Sequence, residues 1–229
     1  MFLNDRSMQA EYFDLPGQAV ADMALSYREL DRINCFFHFS HTFVSQIPRW
    51  LGRKKCEKLA ILDVGAGSGL LGRKMSQWAA KRGWEWNFTN LDTNLVEPPP
   101  GDPARFVVGS ATELPFADAS FDLVVASQMT HHLTAEDIVR HWREAWRVTR
   151  DGVFICDLHR NAGLYGMLWL GTYLLRVSPA IRHDGLASVR RGFRRPEWRN
   201  FAEAAKIPQT TVWLYYGTRI VMQARKAAR

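Results

Sequence analysis

Apolar and polar positions divide this chain into segments of two different periods. From Gln18 to Asn34 and from Phe36 to Trp50 apolar side chains, Val20, Met23, Leu30 and Ile33 among them, recur at helical spacing, which predicts two helices ahead of any strand. Short apolar runs follow: KLAILDVG at Lys58–Gly65, WEWNFTNLD at Trp84–Asp92, FVVG at Phe106–Gly109, FDLVVASQ at Phe121–Gln128 and GVFICDL at Gly152–Leu158. Helical patterns over Leu70–Ala80 and about Ala135–Val148 alternate with them. Strands that alternate with helices in this way belong to a mostly parallel sheet covered on both faces. Further on, Gly163–Val177 reads as a helix that is apolar nearly all round and Pro196–Ala205 as a polar one. The final TTVWLYYGTRIVMQAR reads as two strands turning at Gly217. Pro98, Pro99, Pro100 and Pro103 forbid a regular helix between the second and third strands.

Composition narrows this picture. With 229 residues, 47% of them apolar and 12% aromatic, the chain suffices for one well-packed domain with a small lid. Ala162–Leu175, the longest apolar stretch, is interrupted by three glycines and falls short of the ~20 residues that span a bilayer. The N-terminus carries acids early and lacks the apolar core of a secretory signal. Cys35, Cys56 and Cys156 are scattered and odd in number, which fits reduced thiols in the cytoplasm and neither a disulfide framework nor a zinc site. The net charge of +7 is concentrated late: from His159 onward thirteen Lys and Arg face three Asp and Glu. Such a tail suits nucleic acid, an anionic membrane surface, an anionic substrate, or solvent alone.

The chemistry concentrates at Gly65-Ala66-Gly67-Ser68-Gly69, a turn that leaves one strand and opens a helix. Glycines there let a ligand approach the backbone, and helix N–H groups point toward it. Gly67–Gly72 also satisfies the dinucleotide pattern G-x-G-x-x-G, with Asp92 twenty residues beyond. That fingerprint would start late, however, and the acid Asp63 sits inside the strand end, where a pyrophosphate gains nothing from it. A cofactor bearing an ammonium and a sulfonium does gain, through charge attraction.

ILDVGAGSG at Ile61–Gly69 resembles motif I of class I S-adenosylmethionine (SAM) dependent methyltransferases. GSATELPFADASFDLVVASQMTHHL at Gly109–Leu133 and REAWRVTRDGVFICDL at Arg143–Leu158 resemble the fourth-strand and fifth-strand regions of the ubiquinone/menaquinone-biosynthesis group of that family. The resemblance covers roughly Lys58–Leu158. It implies an α/β, Rossmann-like sheet of seven strands, mostly parallel with an antiparallel C-terminal hairpin. Residues 1–57 would form an N-terminal helical extension and 58–229 the SAM-binding core, with a helical lid inserted at about 160–205. It implies that Gly65, Ala66, Gly67, Ser68 and Gly69 pass under the methionine part of SAM while Asp63 organises its amino group. Asp92, followed by Thr93, would accept from both ribose hydroxyls, Ser110 and Ala111 would border the adenine, and Ser127 and Gln128 would lie beside the methionine part. Ser110 departs from the family, which has an acid there.

Methyl transfer from a sulfonium needs a positioned nucleophile and exclusion of water, and a phenolic oxygen also needs a base. His131 and His132, just past the fourth strand, are the candidates; His159 and His183 are weaker ones. His38 and His41 have ligand-like spacing but no carboxylate or cysteine partner, so no metal is expected. Arg182, Arg190, Arg191, Arg194 and Arg195 are available for an anionic group on the acceptor. The function expected is methyl transfer to O or C of a small hydrophobic phenol, quinol or polyketide-like molecule. The alternatives are a nucleic-acid methyltransferase using the basic tail, which lacks a recognisable binding module, and a non-catalytic SAM-binding protein. Membrane-surface contact and oligomeric state stay open.

Overall fold

A computed structural model describes residues 3–11, 20–94 and 102–227. Gln18, Ala19, Pro98, Pro99 and Pro100 lie outside the described residues, as do the side chains of Val20 and Met23. The chain runs α1 (Val20–Phe36), α2 (His41–Leu51), β1 (Lys58–Val64), α3 (Leu70–Ala80), β2 (Glu85–Asp92), β3 (Arg105–Val108), β4 (Phe121–Ser127) and α4 (Ala135–Val148). It continues through β5 (Thr149–Leu158), α5 (Ala162–Leu174), α6 (Pro179–Arg191), α7 (Arg195–Ala205), β6 (Thr211–Tyr215) and β7 (Arg219–Arg225). The strands form one sheet in the order β3-β2-β1-β4-β5-β7-β6. β1 to β5 pair in parallel, whereas β7 runs antiparallel to both β5 and β6. This is the seven-stranded, mostly parallel Rossmann-like sheet with an antiparallel C-terminal hairpin that the resemblance implies.

Alternation along the central strands explains the layering. Val124 and Ala126 of β4 join Val153 and Ile155 of β5 in a core with Ile138 and Trp142 of α4 and Trp198 of α7. Leu123, Val125 and Phe154 point the other way, toward Phe43 and Ile47 of α2 and Met75 of α3. Successive side chains on a strand face opposite sides, so a strand covered on both faces must be apolar throughout. A third cluster holds Ile33 of α1, Leu158, Leu164 and Leu168 of α5, and Ile181 and Val189 of α6. It lies over the carboxyl ends of the strands, the edge at which open α/β sheets bind ligands.

Helix boundaries follow local chemistry. The Thr134 side chain accepts from the backbone N–H of Asp137 and caps α4. Helices α1 and α2 are separated by a turn in which His38 takes φ 47°, so α2 begins later than the periodicity predicts. The apolar helix predicted to reach Val177 stops at Leu174, and Arg176 then adopts φ 50°. Helix α6, Pro179–Arg191, runs into the arginine-rich stretch that begins at Arg182 and shows little apolar periodicity. Ser178 accepts from Ile181 N–H, Pro179 opens the first turn, and Ile181, Ala187 and Val189 are buried. Burial against α5 and α1, not sequence pattern, sustains that helix.

Candidate active site

β1 delivers the chain into the glycine turn. The N–H groups of Gly65 and Ala66 donate to the Leu91 carbonyl at 2.8 and 3.1 Å, tying the turn to the end of β2. Gly65 has φ 69°, and a Cβ there would stand 2.6 Å from the Met129 side chain. Gly69, at φ 74°, caps α3; a Cβ would meet Asn90 Nδ2 at 2.7 Å and the Phe106 ring at 2.8 Å. Both positions therefore demand glycine for conformation and for space. Gly67 N–H donates to Asp92 Oδ2 at 2.8 Å and Asn94 N–H to Asp92 Oδ1 at 3.0 Å, which fixes that carboxylate at the tip of β2.

A cavity of about 470 Å³ opens above the turn. Asp63, Gly65, Ala66, Gly67 and Ser68 form its floor, with Asp92 and Thr93 on one side. Ser110 and Ala111 border it after β3, and Ser127 and Gln128 after β4. The fold thus gathers the predicted cofactor residues around one space, except Gly69, which sits beneath the turn against Asn90 and Phe106. Asp63 is 1% exposed, and its Oδ2 has no hydrogen-bond partner among the described residues. Burial, and then the nearby Asp92 charge, raise its carboxyl well above the usual range. A cation in the cavity would reverse that penalty.

Helix α1 supplies lining that sequence reasoning missed. Tyr27 lies against the turn, where a Cβ on Gly67 would meet its ring at 3.0 Å. Burial and Asp92 push its hydroxyl up to about 12. Asp31 accepts from Ser68 Oγ at 2.9 Å, and Gln128 Nε2 donates to Asn34 Oδ1 at 2.9 Å. Tyr27, Asp31 and Asn34 recur at helical spacing on α1, but nothing in the sequence shows where that face docks.

The far end of the cavity holds the histidines. His131 is buried in the 3-10 turn Thr130–His132, and His132 lies beside it with ring centroids 4.3 Å apart. Asp157, at the end of β5, accepts from His131 N–H at 3.0 Å and binds His131 Nδ1 at 2.7 Å. Burial would raise the Asp157 carboxyl, but His131 and two backbone N–H groups outweigh it and hold the group below its usual range. Asp157 is therefore an anion, and the short contact places a ring hydrogen on Nδ1, between the two groups. Nε2 is buried without a hydrogen-bond partner among the described residues and lies 3.6 Å from Glu11 Oε1. Arg6 and Arg191 hold the turn from behind through the His131 carbonyl, at 2.9 and 3.1 Å. Glu11, Asp157 and Arg6 were not singled out in the sequence, and Arg191 was named only as a partner for an anionic acceptor, because chain positions 6 to 191 meet only after folding.

Glu11, His131 and His132 place ligand-type atoms within 4.8 Å of one another, a grouping that sequence spacing does not reveal. Arg191 Nη1 stands 3.7 Å from Glu11 Oε1, and Ser188 Oγ donates to the same oxygen at 2.8 Å. That neighbouring positive charge opposes a divalent ion. The remaining candidates lie outside the cavity. His159 Nδ1 contacts the Gly217 carbonyl at 2.8 Å, His183 contacts Asp184, and His41 Nδ1 contacts Tyr215 Oη at 2.8 Å. Arg182, Arg190, Arg191, Arg194 and Arg195 do not line it, whereas Arg219 does. Ser110 is exposed and paired with Thr112 Oγ1 at 2.8 Å.

Residues 62–156 match the family described as Methyltransferase domain. A demethylmenaquinone methyltransferase of Roseiflexus castenholzii is 34% identical over 123 residues, 52% of this chain and 50% of that protein. A ubiquinone/menaquinone biosynthesis C-methyltransferase UbiE of Rickettsia bellii is 32% identical over 130 residues, 50% of this chain and 47% of that protein. The chain thus spans about half the length of the curated relatives it matches. Among solved structures, the plantazolicin methyltransferase BpumL in complex with SAH superposes with TM-score 0.66 at 12% identity, covering 92% of each chain. An S-adenosyl-L-methionine-dependent methyltransferase, described as putative, from Methanococcus maripaludis gives TM-score 0.64 at 15% identity, covering 94% of this chain and 98% of that one. The match begins within the strand that feeds the glycine turn and ends within β5, one residue before Asp157, so the part of the chain that builds the cradle is similar to a methyltransferase domain, and the whole has the class I, Rossmann-like fold of the solved structures.

Proposed function

We propose that the chain is a SAM-dependent methyltransferase acting on O or C of a small, largely apolar acceptor such as a phenol or quinol. The observation that carries this reading is the Asp63 carboxylate, buried with an unpartnered oxygen at the floor of a glycine-lined cavity. A diphosphate would be repelled there, whereas the ammonium of SAM supplies the missing partner. Asp92 uses one lone pair of each oxygen on backbone N–H groups and keeps others for a vicinal diol. Gly65, Ala66, Gly67 and Ser68 accept the cofactor's backbone approach, Ser110 and Ala111 border the adenine, and Ser127 and Gln128 border the methionine part. When bound, SAM provides an electrophilic methyl on sulfonium.

The chain's own residues do the rest. His131 acts as base through Nε2, taking the hydroxyl proton of the acceptor. Asp157 fixes the tautomer and faces the imidazolium that results, with Glu11 on the other ring nitrogen. His132 flanks the same end of the cavity. Helix α1 and the insertion at about 160–205 form a shared lid: Leu30, Ile33 and Phe37 pack with Leu164, Leu168 and Ile181, and all six line the cavity. These apolar side chains favour a hydrophobic acceptor and exclude water from the methyl path. Calorimetry with S-adenosylhomocysteine (SAH) and with NAD, followed by a mass-shift screen of phenols and quinols, tests the reading. Binding of SAH and a one-methyl mass gain are expected; retention of NAD with no response to SAH would overturn it.

A further inference from the structure

The thirteen residues of α5 include no charged side chain. One side of the helix is buried through Leu164, Leu168, Gly171 and Thr172. The other carries Met167, Trp169, Leu170, Tyr173 and Leu174, which are 40% to 64% exposed. At 3.6 residues per turn these five fall within about 160° of arc, one continuous apolar face. The Trp169 and Tyr173 rings stack along it, centroids 6.1 Å apart. A helix apolar on every side is expected between two apolar media, and a contiguous exposed patch of this kind marks an interaction surface.

Positive charge rims that face. The Arg182 guanidinium lies 5.2 Å from the Tyr173 ring centroid, and exposed Arg176 follows the C-terminus of α5. Arg32 donates to the Leu175 carbonyl at 2.8 Å, with exposed Arg28 one turn earlier on α1. The Glu29 carboxylate between them is engaged by Ser178 N–H and Oγ, the latter at 2.6 Å. Tryptophan and tyrosine among leucines, edged by arginine, is the composition of a surface that sits at lipid headgroups. A second copy of the chain fits less well, because a self-complementary contact would set one arginine rim against another.

We infer that this face of α5 docks on an anionic lipid bilayer, with Trp169, Leu170, Tyr173 and Leu174 entering the headgroup–acyl boundary. The inference needs neither cofactor nor acceptor and stands apart from the methyl-transfer reading. Its consequence is that the inner side of the same helix, through Leu164 and Leu168, with Met167 at the edge between the two sides, joins the bilayer surface to the cavity. No described helix is long and apolar enough to cross a membrane, so the contact is peripheral.

Co-sedimentation of the full chain with phosphatidylcholine vesicles, with and without phosphatidylglycerol, tests it. Binding is expected on the anionic vesicles and should weaken as salt rises. The L170D/L174D variant should lower partitioning roughly tenfold or more. The R28E/R176E variant should remove most of the dependence on phosphatidylglycerol. All four side chains are exposed, so unchanged melting temperatures are expected and separate lost docking from lost folding. Failure of the wild-type chain to sediment with anionic vesicles would overturn the inference, as would unchanged binding by L170D/L174D. A dimer in light scattering that L170D/L174D dissolves would assign the face to self-association instead.

Discussion

Replacing Asp63 by Asn should make the ligand-free protein more stable and its cofactor site worse. The substitution keeps shape and volume but removes a charge that is 1% exposed, has an unpartnered oxygen and lies near Asp92. What the amide removes is the desolvation of that charge and its repulsion by Asp92, worth about 1.4 kcal/mol for each pH unit by which the carboxyl is raised, so a gain on the order of 1 kcal/mol or more is expected from D63N once the pH favours the carboxylate. For a chain of this size about 2–4 °C in Tm accompanies each kcal/mol. The pH dependence has a definite sign. The folded-state pKa of Asp63 is raised, so the native protein binds more protons than the unfolded one between the usual carboxylate value and that raised value. Wild-type stability should therefore fall as pH rises through this window, and the advantage of D63N should vanish at about pH 4 and grow above it. The cofactor responds oppositely: loss of a charge-assisted hydrogen bond worth about 1.5–3 kcal/mol weakens binding about ten- to a hundredfold. Melting curves across pH, with and without SAH, read both effects. A D63N protein less stable than wild type at about pH 8 that still shows the full SAH shift would refute the argument.

Other predictions address the remaining parts of the site. H131Q should leave SAH affinity unchanged and lower kcat on a phenolic acceptor by roughly a hundredfold or more, the usual range for a positioned base. D157N should lower kcat as well, and also reduce stability by about 1–3 kcal/mol, because a buried amide cannot serve every N–H that the carboxylate now accepts; kinetics with thermal melts separate the two effects. D92A should weaken SAH binding by about 1–3 kcal/mol in calorimetry, and unchanged affinity would remove the ribose assignment. G69A should cost about 1–3 kcal/mol in denaturant melts, since alanine at φ 74° would press on Asn90 and Phe106.

The order of elements was legible because strands buried on both faces leave no freedom in composition. Ile61–Val64, Leu123–Ala126 and Val153–Cys156 are apolar, except for Asp63, because helices cover each side of them. The glycine turn was legible too, since positive φ at Gly65 and Gly69 and the lack of space for a Cβ are local demands written in residue type. Asp63 betrayed itself as a charge in an apolar run. Helix α6 did not, because its buried residues are interleaved with arginines and its stability comes from packing against α5 and α1.

The sequence by itself thus determined the alternating architecture, the cradle and the residues along its rim, all of which depend on contacts close in the chain or on strand period. It offered His131 and His132 as equals. Only the tertiary structure sets them apart, by placing Asp157 of β5 against one imidazole and Glu11 near its other nitrogen, and the proposal of His131 as base rests on that difference. It also placed Tyr27 and Asp31 over the turn and left one side of α5 facing outward. Hydrogen bonds between groups 26 residues apart, as His131 and Asp157 are, or 37, as Asp31 and Ser68 are, leave no period in a sequence. They exist only once the sheet order has fixed which loop ends meet.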